Sequence, residues 1–155
     1  MDLREYVAEA MTRNRQGTLN AIQDIADDDL YWAPGPGANT IGFLLWHIAR
    51  AEDGYFHRWV AGVPQVWQRD GWHRRCGLGE TETGNSWPPQ QALAFRAPSR
   101  QALLEYLEAV RQSALQVLRG FDLSRLGERP RPDRPTWTLA NILQNAITHE
   151  AHHQG

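Results

Sequence analysis

Residues 137–155 read WTLANILQNAITHEAHHQG, and the apolar positions of this segment recur at helical spacing. The inward positions are Leu139, Ile142, Ala146, His149 and His153. Steps of three and four residues are typical of the buried stripe of an amphipathic helix. Thr138, or Thr136, can cap the first turn, because a threonine hydroxyl accepts a hydrogen bond from a free backbone N–H. The segment therefore predicts a final helix with two histidines on its inward face.

Three earlier segments show the same periodicity. They are residues 2–26, residues 40–62 with Thr40 as the N-cap, and residues 99–118 with Ser99 as the N-cap and Gly120 as a left-handed C-terminal residue. Residues 27–39 and 63–98 carry the glycines and prolines of loops, although 90–95 could form a short helical turn. We predict an all-α fold, specifically a four-helix bundle with a long loop between helices 2 and 3.

The composition excludes several classes of protein. The 155 residues are enough for a single domain, residues 1–155, with its own core. No apolar run could span a bilayer, and the N-terminus lacks the pattern of a signal peptide, so we expect a cytoplasmic protein with no membrane partner. The net charge of −2 gives no reason to expect nucleic-acid binding. The absence of lysine excludes Schiff-base chemistry.

Two histidines four residues apart on one helix indicate a metal site. His149 and His153 lie about 40° apart around the helix axis, so both imidazoles can bind one ion; the alternative is a pair of buried histidines that bond to backbone or water. A third ligand is needed, and the candidates are His47, His57, His73, Glu52, Asp53 and the other acidic residues. His47 is favoured because it borders the apolar face of helix 2. His73 and His152 are interpreted as solvated surface, and His57 as surface or pocket rim.

Residues 149–153, HEAHH, also match the HExxH signature, in which the glutamate activates a metal-bound water. Glu150 could touch such a water or be an ordinary surface residue. Two points argue against a metalloprotease: the sequence has no strands to hold a substrate peptide, and no ligand follows the motif in it.

Three further features are candidates for a role near the site. Arg50, about one helical turn after His47, could receive a substrate carboxylate, but a surface salt bridge with Asp53 or Glu52 is preferred. Trp46, Trp72 and Trp87 could stack on a substrate, or they could provide hydrophobic cover for the bundle. The single cysteine, Cys76, has no recognisable partner for nucleophilic chemistry and is interpreted as an inert loop residue.

Four segments carry a resemblance to a known family. They are TIGFLLWHIARAEDGYFHRWVAG (40–62), WQRDGWHRRCGLGETETG (67–84), PSRQALLEYLEAVR (98–111) and WTLANILQNAITHEAHHQG (137–155). Together they resemble the DinB/YfiT-like superfamily, in the branch of small bacterial metal-dependent hydrolases and thiol-dependent S-transferases. The most specific part is one histidine in the second helix with His-x-x-x-His late in the last helix.

The resemblance implies a fold, a site and a chemistry. The fold is an up-down-down-up four-helix bundle, and homodimers are common. The metal ligands fall on His47, His149 and His153, with zinc or nickel as the usual ion and bacillithiol or mycothiol as the thiol cosubstrate. Similar chains usually continue beyond the HHQG segment, so we expect His153 to lie in a fraying final turn with reduced metal affinity.

Three functions remain open at this point. The first is a metal-dependent S-transferase that joins a low-molecular-weight thiol to a small-molecule electrophile. The second is a metal-dependent hydrolase on the same site. The third is a bundle that binds a small ligand or a partner and catalyses nothing.

Overall fold

The computed structural model describes residues 1–154, and within them every regular element is helical. The α-helices are α1 (Leu3–Ala21), α2 (Ile41–Asp53), α3 (Val66–Arg69), α4 (Trp72–Cys76), α5 (Pro89–Ala94), α6 (Arg100–Arg119) and α7 (Leu139–His152). A π-helix, Gly54–Ala61, continues α2, and 3₁₀ turns occupy Asp27–Tyr31 and Leu123–Gly127. The all-α prediction is confirmed. The up-down-down-up order of a four-helix bundle stays a prediction.

The ends of the long helices follow from local capping. Thr40, Ser99 and Thr138 each accept a hydrogen bond from the backbone N–H three residues ahead, as predicted. The expectation for Gly120 was wrong: its φ is −87°, because its N–H still donates to Gln116 O as in a right-handed turn. Helix α1 is also shorter than the periodicity predicted. Ile22 and Ile25 still pack into the core, but from the non-helical turn that follows Ala21.

The long segment between α2 and α6 is an ordered cover that contains three short helices. Asp53 anchors its start, since its two carboxylate oxygens accept from the backbone N–H groups of Val66 and Trp67, both at 2.9 Å. Trp67 of α3 and Trp72 of α4, both within this segment, are buried in the hydrophobic core. None of the helices within residues 1–154 is long and apolar enough to cross a membrane.

One buried ion-pair cluster joins the four long helices. Its members are Arg15 from α1, Glu52 from α2, Arg111 from α6 and Glu150 from α7, each at most 5% exposed. Arg15 contacts Glu52 at 2.9 Å and Glu150 at 2.8 Å. Arg111 contacts the same two carboxylates at 2.7 Å and 2.9 Å. Two positive and two negative charges balance, and a shift of any one helix would separate them, so the cluster fixes the register of α7 against its neighbours.

Candidate metal centre

Three histidines from two helices converge at one point. His47 comes from the middle of α2, and His149 and His153 come from the end of α7. One ring nitrogen from each lies within 4.8 Å of the others. His47 is 8% exposed and the other two are partly buried. The arrangement brings together the three residues that the sequence singled out as ligands.

The spacing of the ring nitrogens fits a metal ion. Nε2 of His149 and Nε2 of His153 are 3.3 Å apart. Two ligand nitrogens about 2.0–2.1 Å from a tetrahedral zinc ion are separated by about 3.3 Å. The two imidazoles therefore already hold the separation that one shared ion requires.

A loop carbonyl sets the orientation of His47. Nδ1 of His47 donates to Thr83 O at 3.0 Å, which leaves Nε2 without a proton and available as a ligand. The chain can approach this closely because Gly84 follows Thr83. A Cβ at Gly84 would lie 3.1 Å from His47 Nδ1 and 3.0 Å from a ring carbon of Trp46, and its φ of +75° favours glycine in any case.

Burial keeps the three imidazoles neutral. The pKa of His149 is lowered from 6.5 to about 3, first by burial and then by repulsion from His47 and His153. Burial also lowers the pKa of His47, against the opposing effect of its bond to Thr83, and the pKa of His153. Metal ions bind unprotonated imidazole, so the site does not need to lose protons at neutral pH before an ion can bind.

The last turn of α7 contacts a neighbouring helix, and the fraying and reduced metal affinity expected there stay predictions. His153 caps the helix, and the side chain of the next residue, Gln154, reaches across to α1. Its Nε2 donates to Thr18 Oγ1 at 2.9 Å and also to Asn14 O. These two bonds connect the turn that carries His153 to α1.

Two clefts reach the histidine cluster. The first, the cationic cleft, has a volume of about 800 Å3 and includes His149 in its wall. Its charged and aromatic lining residues are Arg50, Arg58, Arg131, Arg134, Asp133, Tyr55, Trp59 and Trp137. Many of these side chains come from the π-helix and from the loop before α7. Four guanidinium groups against one carboxylate make this cleft strongly positive.

The second cleft, the apolar cleft, has a volume of about 560 Å3 and includes His153. Its apolar lining consists of Ile22, Trp32, Pro34, Ile41, Leu44, Leu45 and Ile48, with Ala21 and Ala38. Trp32 is 59% exposed, so a large aromatic surface is available at the mouth. The histidine cluster thus borders one cleft suited to anions and one suited to apolar groups.

Glu150 does not have the water-activating position that the HExxH signature suggested. Its Oε1 accepts from Arg15 Nε and Thr18 Oγ1, both at 2.8 Å, and its Oε2 accepts from Arg111 Nη2 at 2.9 Å. The carboxylate is 3% exposed and belongs to the ion-pair cluster. The surface interpretation was therefore wrong as well: Glu150 is a buried structural residue.

The surface interpretation of His57 was also wrong. His57 is fully buried, with Nδ1 at 2.7 Å from Asp53 Oδ1 and Nε2 at 2.7 Å from Ser113 Oγ. Its acidic neighbours Glu52 and Asp53, four or five residues earlier in the chain, are buried as well. His73 is partly buried and bonds through Nδ1 to Trp67 O, while His152 is exposed as predicted.

Arg50 pairs with Asp53, as predicted, but not at the surface. The contact of 3.4 Å is buried, and Arg50 is 2% exposed. Trp46 and Trp72 are core residues, and Trp87 packs against Trp46 with ring centroids 5.3 Å apart, which favours the covering role over substrate stacking. Burial raises the pKa of the Cys76 thiol to about 11, so Cys76 is protonated at neutral pH.

Sequence reasoning missed the residues that shape the surroundings of the site. Thr83 lies in a segment without periodicity, and Arg131 and Arg134 lie in a proline-rich loop. The four arginines of the cationic cleft come from α2, the π-helix and that loop, so no local pattern connects them. An excess of arginine over acid in residues 129–134, RPRPDR, was the one available signal.

The fold and the histidine cluster define a helical protein with a candidate three-histidine metal centre, and comparison with known proteins identifies its family. The sequence profile of the DinB superfamily matches residues 10–155. The chain therefore belongs to the DinB superfamily. A crystal structure of a conserved protein from Enterococcus faecalis is similar, with a TM-score of 0.87 and 20% identity, covering 100% of this chain and 92% of that one. At this identity the likeness concerns the fold alone. A search of curated proteins gave no significant match.

Proposed function

We propose that this chain is a metal-dependent enzyme that transfers a low-molecular-weight thiol to a small-molecule electrophile. His47, His149 and His153 would hold one divalent ion, with zinc or nickel as the expected metals and bacillithiol or mycothiol as the expected thiol. The observation that carries the proposal is that the cluster borders two clefts of opposite character. A transfer between two substrates needs two binding regions beside one reacting centre, whereas hydrolysis of one substrate by water does not.

The three ligands suit this chemistry because they bring no charge of their own. Neutral imidazoles leave a divalent ion its full positive charge and open coordination positions. An ion held there supplies Lewis acidity, which lowers the pKa of a coordinated thiol or water. Thr83 holds the His47 ring in one orientation, and the cross-helix bonds of Gln154 connect the turn that carries His153 to α1. The protein therefore contributes fixed, unprotonated donors.

Tyr55 is positioned to assist a substrate beside these ligands. Its ring lies 6.0 Å from the ring of His149, and it lines the cationic cleft. Burial raises the pKa of its hydroxyl above 10, and this outweighs the opposite effect of Arg131 and Arg134. The hydroxyl keeps its proton at neutral pH and can donate a hydrogen bond to negative charge that develops on a substrate.

A hydrolase on the same site has weaker support. The glutamate of HExxH is engaged in the ion-pair cluster, and the acid that lines the cationic cleft within the described residues, Asp133, is paired with Arg131. Neither carboxylate is free to act as a general base. The homodimer and the cytoplasmic location stay predictions.

The test is a coupled binding and turnover experiment on protein loaded in turn with zinc, nickel or manganese. Product formation from an electrophile such as monochlorobimane is followed with bacillithiol, with mycothiol and without thiol. Thiol-dependent product that is lost in His149→Ala and retained in His152→Ala supports the transferase. Cleavage of ester or amide substrates without thiol would instead support the hydrolase and overturn the transferase proposal. If no substrate is turned over with any of the metals, the remaining function is a bundle that binds a ligand without catalysis.

A further inference from the structure

The cationic cleft carries more positive charge than its own residues neutralise. Arg131 is paired with Asp133, and Arg50 is in contact with Asp53. Arg58 and Arg134 are exposed, and within residues 1–154 neither has a carboxylate partner. Two guanidinium groups thus face the same cleft with uncompensated charge. A site built this way attracts an anion rather than a neutral or cationic molecule.

Arg50 supplies a second, independent sign of a missing partner. Its Nε donates to Glu82 O and its Nη1 donates to Gln65 Oε1, both at 2.9 Å. Its Nη2 is buried and has no hydrogen-bond partner among the described residues. A buried guanidinium N–H without an acceptor is costly and rare. Arg50 also lines the cationic cleft, so a small shift of its side chain towards the cleft would bring this donor to an oxygen of a bound ligand.

Aromatic rings hold the exposed arginines in place. The guanidinium carbon of Arg58 lies 4.4 Å from the ring centroid of Trp59, and that of Arg134 lies 4.5 Å from the ring centroid of Trp137. Arg131 lies over both of these rings, at 5.0 Å and 5.3 Å. Stacking restricts the side chains before a ligand arrives, so less freedom is lost when their planar donor groups meet a carboxylate.

We propose that the cationic cleft binds a small molecule with two carboxylate groups, held by Arg58 and Arg134 and completed by a hydrogen bond from Arg50 Nη2. This inference deepens the proposed function and rests on it, since the molecule would be one of the two substrates that meet at the histidine cluster. Two carboxylates are proposed because each of the two unpaired guanidinium groups, Arg58 and Arg134, can bind one of them. Planar carboxylates also fit the paired N–H donors of arginine better than a point-like anion does.

Isothermal titration of the purified protein with succinate tests this proposal. Succinate should bind saturably, while the uncharged analogue succinamide should not. Arg58→Gln and Arg134→Gln should each weaken succinate binding about tenfold, which is the usual effect of losing one charge-assisted contact. Arg119→Gln, an exposed arginine near the end of α6 and outside the cleft, is the matched control and should leave the affinity within about twofold. Thermal melts establish that all three variants are folded.

Three results would overturn the proposal: no succinate binding, equal binding by the parent and both cleft variants, or tight binding of inorganic phosphate with weak binding of succinate. The proposed function fails differently, because it predicts metal-dependent turnover. Titration of protein treated with a chelator separates the two. Succinate binding that survives chelation and needs Arg58 and Arg134 supports the cleft even if no transfer activity is found. Transfer activity without succinate binding supports the enzyme and not this ligand.

Discussion

Glu150 and Arg111 form a buried ion pair of 2.9 Å, although the residue before Glu150 in the chain, His149, belongs to the histidine cluster. Consecutive residues of α7 thus serve two purposes: one side chain joins the histidine cluster, while the next pairs with arginines of α1 and α6 and holds α7 against those helices. The match of this segment to HExxH therefore has two separate causes. His149 and His153 are one helical turn apart in the histidine cluster, and Glu150 is a buried anion between Arg15 and Arg111.

Glu150→Gln should reduce stability and leave metal binding by the folded protein intact. The substitution keeps the shape of the side chain but leaves Arg15 and Arg111 with excess buried charge, which costs about 3–5 kcal/mol of unfolding free energy. Urea denaturation measures the loss. Glu108→Gln on the exposed face of α6 is the control and should change the free energy by less than about 0.5 kcal/mol. A Glu150→Gln protein that is as stable as the parent, or one that folds but no longer binds metal, would contradict this account.

Gly84→Ala should weaken metal binding through His47. A methyl group at this position meets His47 Nδ1 at 3.1 Å, so it disturbs the Thr83 bond that orients the ring, and loss of such a supporting bond costs about 10–100-fold in metal affinity. Gly77→Ala is a close control, because Gly77 has a similar φ of +65° but nothing within 4 Å of the added carbon. Competition with a zinc-binding dye measures both affinities. Equal affinities for the two variants would show that the Thr83 contact does not support the site.

The metal-free protein should lose stability as the pH falls below about 6.5. Burial lowers the pKa of His149 to about 3 in the folded state, whereas the unfolded chain has the ordinary value, so the unfolded state binds the extra proton between these limits. The contribution of His149 to the free energy of unfolding is fully present above pH 6.5 and is lost as the pH falls towards 3. His47 and His153 shift in the same direction.

His149→Gln removes one of these groups. Between about pH 6 and pH 4 the variant should lose up to about 1.4 kcal/mol less stability per pH unit than the parent. Denaturation with urea at a series of pH values provides the comparison, with His152→Gln, an exposed neighbour, as the control. If the free energy of unfolding changes with pH in the same way for the parent and for His149→Gln, then His149 is not held neutral by burial.

The sequence predicted those features that depend on one helix at a time. The histidine pair of α7 could be predicted because four residues make about one helical turn. Thr40, Ser99 and Thr138 could be predicted as N-caps because their hydrogen bonds are local. Contacts between residues far apart in the chain could not be predicted from the sequence. Arg15 and Glu150 are 135 positions apart, and Thr83 reaches His47 from a segment with no periodicity. His57 was misplaced for the same reason, since its acidic neighbour Asp53 is buried by contacts from the cover segment.

Metal content tests the central claim most directly. Inductively coupled plasma mass spectrometry of untagged protein should find about one zinc, nickel or manganese ion per chain, as three converging imidazoles can hold. His152→Ala should retain it, because His152 is exposed and outside the cluster, while His149→Ala should lose most of it. A parent protein that takes up no ion even after incubation with zinc and nickel, or a His149→Ala variant that binds as much as the parent, would contradict the three-histidine metal centre.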